Sequence, residues 1–363
     1  MQGIVLFPYH PDAVTVVAFK DSLVEYELRG LVSYKDDRYL VADINQACGA
    51  QALSEEQLLS DCEAVVILDN YRGYSQAKYY EIIDAAISLN KDVLVTPQAC
   101  LQLDLTAYAG KYRVLENLLN APEENLSQEM ISITKDLYEV DVPIIGVLGL
   151  GKHCGKFENL LTLKRVMEKD YSAISISSNS LGALFGCYTM PNFMFERISF
   201  LEKIIRFNAY MHSVSVSAEP DVVLLSVPEG IAPFESQEFH HFAEYPLVVS
   251  SAVSIDYAIL CTYFVEAGGH EHIAHAFDAY AELCRGKFGI DADVFAISKT
   301  RFEMASGGVD RLTFEFLTES FLSKYYPDIS RINRPVIDMT KPETAEEIIQ
   351  KSLLRLRENA EPI

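Results

Sequence analysis

Apolar runs and a helical repeat alternate along the first hundred residues. Four short runs have the length and composition of buried β-strands, at 3–7, 30–33, 62–68 and 92–96. Between the last two, apolar residues recur at the spacing of one helix face and predict a helix over 75–89; they are Tyr79, Ile82, Ile83, Ala86 and Ile87. Short strands that alternate with helices are typical of a parallel sheet covered on both faces. Residues 1–138 are therefore predicted to form a Rossmann-like α/β domain.

The alternation continues beyond a polar stretch at 123–141, which is predicted to be helical and to mark the domain boundary. The run 142–148 is a strong signal for a buried strand, and a helix is predicted over 157–169. Further elements are predicted as strands at 172–177, 221–227, 247–253 and 294–298, as helices at 195–212 and 271–285, and as a final strand and helix. Residues 139–363 are therefore predicted to form a second α/β domain, and the glycine-rich segment after its first strand, described below, predicts that this domain is of the P-loop NTPase type.

Length and charge narrow the possible classes of protein. The chain has 363 residues, more than the roughly 250–300 that one hydrophobic core usually supports, which favours two domains. Its hydrophobic fraction of 49% is ordinary for a globular protein. The formal net charge is -22 and no cluster of Lys and Arg offsets it, so neither nucleic acid nor an anionic membrane surface is expected as a partner.

The cysteines and the first residues predict the cellular compartment of the protein. Seven cysteines are dispersed without a C-x-x-C motif or an even disulfide framework, as expected of a chain in a reducing cytoplasm. The opening residues 1–7 lack a basic region and a cleavage site, and they predict a first strand rather than a signal peptide. No run of about 18 apolar residues is present that would predict a membrane span.

A glycine-rich segment follows the strand predicted at 142–148. Residues 149–156 read Gly-Leu-Gly-Lys-His-Cys-Gly-Lys and precede a predicted helix, which is the context of a phosphate-binding loop. Glycines let the backbone turn N–H groups inward, the helix start adds partial positive charge, and the lysine reaches the outer phosphates. The residues predicted to bind the nucleotide here are Gly149, Gly151, Lys152, Cys154, Gly155, Lys156 and Phe157. A plain glycine-rich turn between strand and helix is the alternative.

The residue after the lysine departs from the usual pattern. Phe157 stands where Ser or Thr normally holds magnesium, and its ring cannot ligate a cation. The next oxygen-bearing side chains are Glu158 and Asn159, and Glu158 is taken as a possible metal ligand. Either the metal is held differently, or the domain binds a nucleotide without hydrolysing it.

Two further strands end in polar residues. The strand at 221–227 leads to Glu229-Gly230, which would place a carboxylate at the carboxyl edge of the sheet beside the loop. Glu229 is predicted to hold magnesium or to position a nucleophile, and Lys156 and Glu229 are the candidate catalytic pair. The strand at 172–177 ends at Ser177 and Asn179, which could contact phosphate or substrate, although ordinary turn chemistry explains them equally.

Histidines offer other candidate sites. His270, His272 and His275 share one predicted helical region and are chemically able to bind a metal, but they do not form H-E-x-x-H, and an exposed helix start also explains them. His10 follows the first strand at the functional edge of the Rossmann-like domain, where it either contacts a ligand or belongs to a structural turn. That domain lacks the G-x-G-x-x-G turn of dinucleotide sites, so NAD is not expected.

With these elements in order, the second half resembles a group of two-domain P-loop proteins related to dethiobiotin synthetase. The residues that carry the resemblance are Gly149, Gly155, Lys156, Ser177, Asn179, Glu229 and Gly230. The loop has the longer G-x5-G-K spacing of that group. The group's Thr after the lysine is absent here, which puts magnesium-ATP chemistry in doubt.

A second resemblance covers most of the chain. The segments 5–9, 30–33, 61–65 and 288–298 are similar to the clostridial peptide maturation system proteins, which accompany precursor peptides and radical enzymes in clusters for ribosomal peptide natural products. The resemblance implies a role in such a cluster, with a precursor peptide or another maturation enzyme as partner. The resemblance does not indicate which reaction the protein would catalyse.

Two functions are therefore expected. The first is an ATP-binding accessory protein or ATP-dependent, ligase-like enzyme of peptide maturation that uses ATP with Mg²⁺. The second is a non-catalytic scaffold or peptide-binding protein that has kept a P-loop fold and lost its magnesium site. The apolar stretch 193–207 is compatible with a homodimer interface, and an amphipathic core helix explains it equally.

Overall fold

The computed structural model describes residues 1–34, 38–50, 53–70, 73–118, 137–232, 243–265, 269–304, 312–338 and 344–351. Two compact units divide the chain: the first consists of Met1–Asn117 with Asn179–Thr189, and the second of Leu118–Ser178 with Met190–Ile363. The domain boundary predicted near residue 138 stays a prediction. Of the helix predicted over 123–141, residues 123–136 lie outside the described residues.

The first unit is a five-stranded parallel sheet with helices. Its strands are β1 Gln2–Phe7, β2 Tyr26–Leu31, β3 Ala64–Ile67, β4 Asp92–Val95 and β5 Arg113–Val114. Its helices are α1 Asp12–Ala18, α2 Arg38–Ala47, α3 Glu55–Asp61, α4 Ala77–Ser88 and α5 Pro97–Gln102. The strand order is β2-β1-β3-β4-β5, and every pair is parallel. This is the order of flavodoxin-like sheets.

Local sequence explains several of these elements. Strands β1 and β3 are buried on both faces, as their unbroken apolar sequences require in a covered parallel sheet. Helix α3 begins with a capping box, in which Ser54 accepts from the Gln57 N–H and Gln57 accepts from the Ser54 N–H. Helix α4 buries the apolar face that its spacing predicts. The segment 179–189 of this unit carries a 3₁₀ helix, Ser180–Phe185, and the two-residue strand β8, Tyr188–Thr189.

The second unit contains a larger parallel sheet. The strands of this unit are β6 Ile144–Gly149, β7 Ala173–Ser177, β9 Val222–Ser226, β10 Tyr257–Thr262, β11 Val294–Ile297, β12 Thr300–Met304, β13 Leu312–Phe316 and β14 Val336–Asp338. Its helices are α6 Lys156–Met167, α7 Phe200–Ala218, α8 Glu244–Ala252, α9 Gly269–Phe288 and α10 Glu319–Tyr325, and 344–351 are also helical. Within the unit, the strands pair in the order β14-β11-β10-β6-β9-β7. The antiparallel hairpin β12–β13 forms a separate two-stranded sheet.

The α/β class predicted from the sequence is confirmed, with two parallel sheets that fit a Rossmann-like or P-loop-like fold. One element is wrong: the apolar run 247–253, predicted as a strand, belongs to helix α8. Pro246 lies in its first turn, where a helix tolerates proline, and both helix and strand can bury an apolar run of this length. The neighbouring strand is instead β10. The helix predicted over 195–212 starts later, at Phe200, where Ser199 caps it.

None of the helices within the described ranges is long and apolar enough to cross a membrane.

Candidate functional site

The glycine-rich loop, residues 149–156, turns tightly between β6 and α6. His153 has φ 55° and Gly155 has φ 85°, so both lie in the left-handed region, which L side chains rarely adopt. Gly155 stands directly before the first residue of α6. Left-handed residues interspersed in a turn direct backbone N–H groups into a concave nest, and the start of the helix adds partial positive charge. Two left-handed residues and a helix start thus occur together in this turn.

The position of β6 in the sheet places this loop at a topological switch point. From β6 the chain passes to β7 on the β9 side, whereas from β10 it passes to β11 on the opposite side. In open α/β sheets, ligands bind in the crevice beyond the carboxyl ends of two such strands. The loop is tied to β10 and the residue after it: Leu150 N–H donates to the Cys261 carbonyl at 2.9 Å, and the Tyr263 hydroxyl donates to the Lys152 carbonyl at 2.5 Å.

Glu229 and Gly230 lie directly against the loop. Strand β9 pairs with β6, and the chain after it continues along the loop, with Ile231 N–H donating to the Gly149 carbonyl at 2.9 Å. A Cβ atom at Gly230 would lie 2.3 Å from the Leu150 carbonyl oxygen and 2.4 Å from Gly151 Cα. Glu229 itself has φ 53°, a left-handed conformation for a residue with a side chain. The close approach thus needs glycine at 230.

Lys156 folds its ammonium group over the loop. Its Nζ donates to the Glu229 carbonyl and lies 3.4 Å from the Gly151 carbonyl oxygen. Both partners are uncharged, and none of the ion pairs between described residues includes Lys156. A positive charge therefore lies at the tip of β6, beside the glycine-rich loop.

Cys154 supports the loop from inside. Its Sγ is buried and donates to the Gly151 carbonyl at 3.1 Å, and a Cβ on Gly149 would lie 2.2 Å from that sulfur. The neighbouring thiol of Cys261 accepts from the Asn159 amide at 3.4 Å. Burial raises the pKa of Cys261 well above its usual value, and the nearby Cys154 adds to the rise. Cys261 therefore stays a neutral thiol and serves packing rather than nucleophilic chemistry.

The first turn of α6 offers a poor set of magnesium ligands. The Phe157 side chain is only 6% exposed and has no ligating atom. Glu158 forms an ion pair with Lys299, with 3.3 Å between Oε1 and Nζ, so its charge is already matched. Asn159 is buried and donates to the Gly155 carbonyl at 2.9 Å. Glu158 and Asn159 thus have structural partners.

Charged side chains act on Tyr245, in the first turn of α8. Burial raises the pKa of Tyr245 to about 12, and the carboxylates of Glu229 and Glu244 contribute to the rise. Glu244 accepts from Lys203 at 2.8 Å, and this lysine is 4% exposed. Glu229 contributes its backbone to the loop, through the carbonyl that accepts from Lys156.

Ser177 and Asn179 belong to different units. Ser177 is buried at the end of β7, which β9 separates from β6, about 10 Å away at ordinary strand spacing. Its neighbour Ser178 shares a hydrogen bond of 2.8 Å with Ser226 at the end of β9. Asn179 belongs to the first unit, where its amide donates to the Asp12 carboxylate at 2.7 Å.

An aromatic hairpin near the loop was missed at the sequence level. The rings of Phe314 and Phe316 contact the His153 ring edge to face, with centroids 5.0 and 5.8 Å apart. Tyr263 contacts Phe302, which pairs with Phe314 across the hairpin, at 4.8 Å. The signal in the sequence is the alternation Phe314-Glu315-Phe316, which a strand would convert into one aromatic face.

The histidine candidates lie elsewhere. His272 and His275 are exposed on α9, and the His270 side chain is outside the described residues. In the described part of the chain, no three His, Cys, Asp or Glu side chains are grouped so that they could hold a metal ion. A nucleotide-bound magnesium needs fewer protein ligands than that, because phosphate and water supply the rest.

Comparisons with known proteins found a similar fold but no related sequence. No protein-family model matches the chain, and no curated protein matches it. Among solved structures, the chain is similar to a DUF1611 family protein from Anabaena variabilis, with a TM-score of 0.58 and 11% sequence identity. The match covers 98% of this chain and 100% of the other. At this identity the likeness extends to the fold alone.

Proposed function

We propose that the glycine-rich loop binds the phosphate groups of a nucleotide, with ATP as the reference ligand. The observation that carries the proposal is the Lys156 ammonium, which lies over a turn of left-handed residues at the tip of β6 and is held by the carbonyls of Gly151 and Glu229. Carbonyl oxygens hold this cation in place, and no carboxylate of the described residues pairs with it. A phosphate group would match the charge and accept from the loop N–H groups at the same time.

Magnesium is a secondary part of this proposal. Phe157 occupies the position of the usual hydroxyl ligand, and Glu158 is paired with Lys299. We therefore expect ATP to bind with little dependence on Mg²⁺, through backbone N–H groups and Lys156. Glu229 remains the candidate carboxylate for a metal or a nucleophile, since its backbone adjoins the loop.

Two roles rest on this binding site. In an ATP-dependent, ligase-like enzyme, the loop and Lys156 would hold a transferring phosphoryl group and stabilise its charge. In a non-catalytic scaffold, the bound nucleotide would only stabilise one conformation. The observations on Phe157 and Glu158 favour binding without turnover. The role in peptide maturation, with a precursor peptide or maturation enzyme as partner, stays a prediction from the sequence resemblance.

Isothermal titration with ATP, with and without Mg²⁺, tests the proposal. Lys156→Ala should weaken ATP binding about 10- to 100-fold, because a charged hydrogen bond contributes about 1.5–3 kcal/mol and 1.4 kcal/mol is tenfold in Kd. Lys169→Ala is the matched control: it removes the same charge beyond the far end of α6, where Lys169 pairs with Glu346. Equal ATP affinity in wild type and Lys156→Ala would refute the phosphate site.

Turnover is measured separately. Release of ADP from ATP, at a rate that Lys156→Ala abolishes, would support the enzymatic role. Saturable binding with no ADP formed, alone or with candidate peptides, would support the scaffold.

A further inference from the structure

His10 lies between two carboxylates at the end of β1, in the first unit. Its Nδ1 is 3.4 Å from Asp12 Oδ2, and its Nε2 is 3.5 Å from Asp69 Oδ1. The His10 side chain is 7% exposed, whereas Asp12 and Asp69 are 23% and 29% exposed. The imidazole is thus enclosed, and the two carboxylates are accessible on either side of it.

The topology of the sheet places this group where ligands bind. From β1 the chain passes to β2 on one side, and from β3 it passes to β4 on the other, so the switch point lies between β1 and β3. His10 follows β1, and Asp69 follows β3. In sheets of this strand order, the crevice beyond the carboxyl ends of these two strands is the expected ligand site.

Tyr79 provides an independent sign of a ligand. Its side chain is fully buried, and its hydroxyl has no hydrogen-bond partner within the described residues. Its ring contacts Phe7, the last residue of β1, edge to face at 5.0 Å, so Tyr79 lies below this edge of the sheet. Burial raises the pKa of Tyr79, and Tyr34 and Asp69 raise it further. Buried hydroxyl groups are almost always satisfied. A ligand at Asp69 could satisfy this one.

Aromatic rings line the same edge. The Tyr34 ring lies 5.7 Å from Phe7 and 4.4 Å from Tyr74, and both tyrosines are half-buried. The Tyr34 hydroxyl is held by the Ser75 carbonyl at 2.8 Å. Aromatic faces beside carboxylates suit an organic cation, which gains from the ring quadrupole and from ion pairing.

The geometry points to a second binding site, at the β1/β3 switch point of the first unit, for a ligand that carries a protonated amine. The two carboxylates and one histidine have a net charge of -1 or -2, depending on the histidine proton, so an anion is disfavoured. A metal ion is also disfavoured, because no metal-holding group of three side chains occurs in the described ranges. An alkylammonium ion would donate to Asp69 and to the Tyr79 oxygen, and its carbon chain would contact Tyr34.

Nuclear magnetic resonance of the full chain, with labelled histidine rings, tests this site with ethylammonium chloride as the probe and ethanol as its neutral analogue. The His10 signal is identified by its loss in His10→Gln. Ethylammonium should shift the His10 signal saturably, and ethanol should not. Because a bound cation disfavours the charged imidazole, the probe should also lower the pKa of His10.

Variants separate a binding role from a structural one. Asp69→Asn should weaken ethylammonium binding at least tenfold, and Tyr79→Phe should weaken it several-fold while the chain stays folded. Asp92→Asn is the matched control, since Asp92 is exposed at the opposite end of the same sheet. Equal shifts from ethanol, or equal affinity in Asp69→Asn and Asp92→Asn, would overturn the proposal. Lys156→Ala should leave ethylammonium binding unchanged, so this proposal is tested independently of the proposed phosphate site.

Discussion

Gly230 shows how a single residue controls the glycine-rich loop. Three backbone atoms of Leu150 and Gly151 lie within 2.6 Å of the place where a Cβ would stand. Real Cβ atoms essentially never approach backbone that closely, so any side chain would push the loop away from β9. The Lys156 contact with the Glu229 carbonyl depends on the same approach.

Gly230→Ala is therefore expected to displace the loop, to lower the free energy of unfolding by about 1–3 kcal/mol, and to weaken ATP binding at least tenfold. Gly286→Ala is the control, because Gly286 lies in α9 with nothing near its Cβ position. That substitution should stabilise the protein by about 0.5–1 kcal/mol. Denaturant unfolding and calorimetric titration give both quantities, and unchanged ATP affinity in Gly230→Ala would contradict the assignment of the loop.

His10 is expected to make stability depend on pH. Burial alone lowers the pKa of His10, but the carboxylates of Asp12 and Asp69 outweigh it and raise the pKa above 6.5. The folded state thus holds the proton more tightly than the unfolded state. The resulting stabilisation is complete below pH 6.5 and is lost as the pH rises through the folded pKa.

Asp69→Asn should reduce this pH dependence, because one of the carboxylates that raise the pKa is gone. Denaturant unfolding at about pH 5.5 and about pH 8 measures the difference in free energy for wild type, Asp69→Asn and the control Asp92→Asn. If the free energy of unfolding changes equally with pH in wild type and in Asp69→Asn, then Asp69 does not raise the pKa of His10.

Among the elements, the β12–β13 hairpin has a clear division of faces. Phe302, Phe314 and Phe316 point to the side of Tyr263 and His153, whereas Arg301 and Glu315 pair on the other side. A two-stranded sheet is marginally stable alone, so its aromatic face must be anchored on the rest of the unit. The hairpin also contacts the glycine-rich loop, through the His153 ring.

Phe314→Ala should therefore loosen the hairpin and the loop together. We expect a loss of about 1–3 kcal/mol in the free energy of unfolding, because the Phe314 ring is only half-buried, and a weaker ATP affinity. Glu315→Ala, on the opposite face, should cost no more than about 1 kcal/mol and leave ATP binding unchanged. Equal effects from the two substitutions would contradict an anchoring role for the aromatic face.

At the scale of the whole molecule, the net charge of -22 opposes every anion that approaches. The local charge of Lys156 acts only at short range, whereas the overall field reaches about 30 Å at 0.01 M salt and about 8 Å at 0.15 M. A nucleotide therefore meets repulsion first and attraction only at the loop.

The association rate of ATP should accordingly rise when the ionic strength increases from about 0.01 to about 0.15 M. Stopped-flow measurements with a fluorescent ATP analogue at the two salt concentrations would show the trend. A rate that falls with salt would mean that positive local charge, rather than the overall acidity, guides the ligand.

The sequence alone was sufficient where a structure depends on neighbours along the chain. The apolar runs predicted β1, β3, β4 and β6, and the helical spacing predicted α4, because periodicity and turn chemistry are local properties. The glycine-rich loop was recognisable for the same reason, as a glycine pattern between a strand and a helix. Segment 247–253 was predicted wrongly because an apolar run fits either kind of buried element.

Only the tertiary structure decided which distant residues meet. Strand order brings Gly230 against Leu150 and sets His10 beside Asp69. Asn179, predicted to contact phosphate or substrate, donates to Asp12, a residue 167 positions away. Such contacts depend on which strands become neighbours, and that choice arises from packing the whole core, which no local pattern encodes.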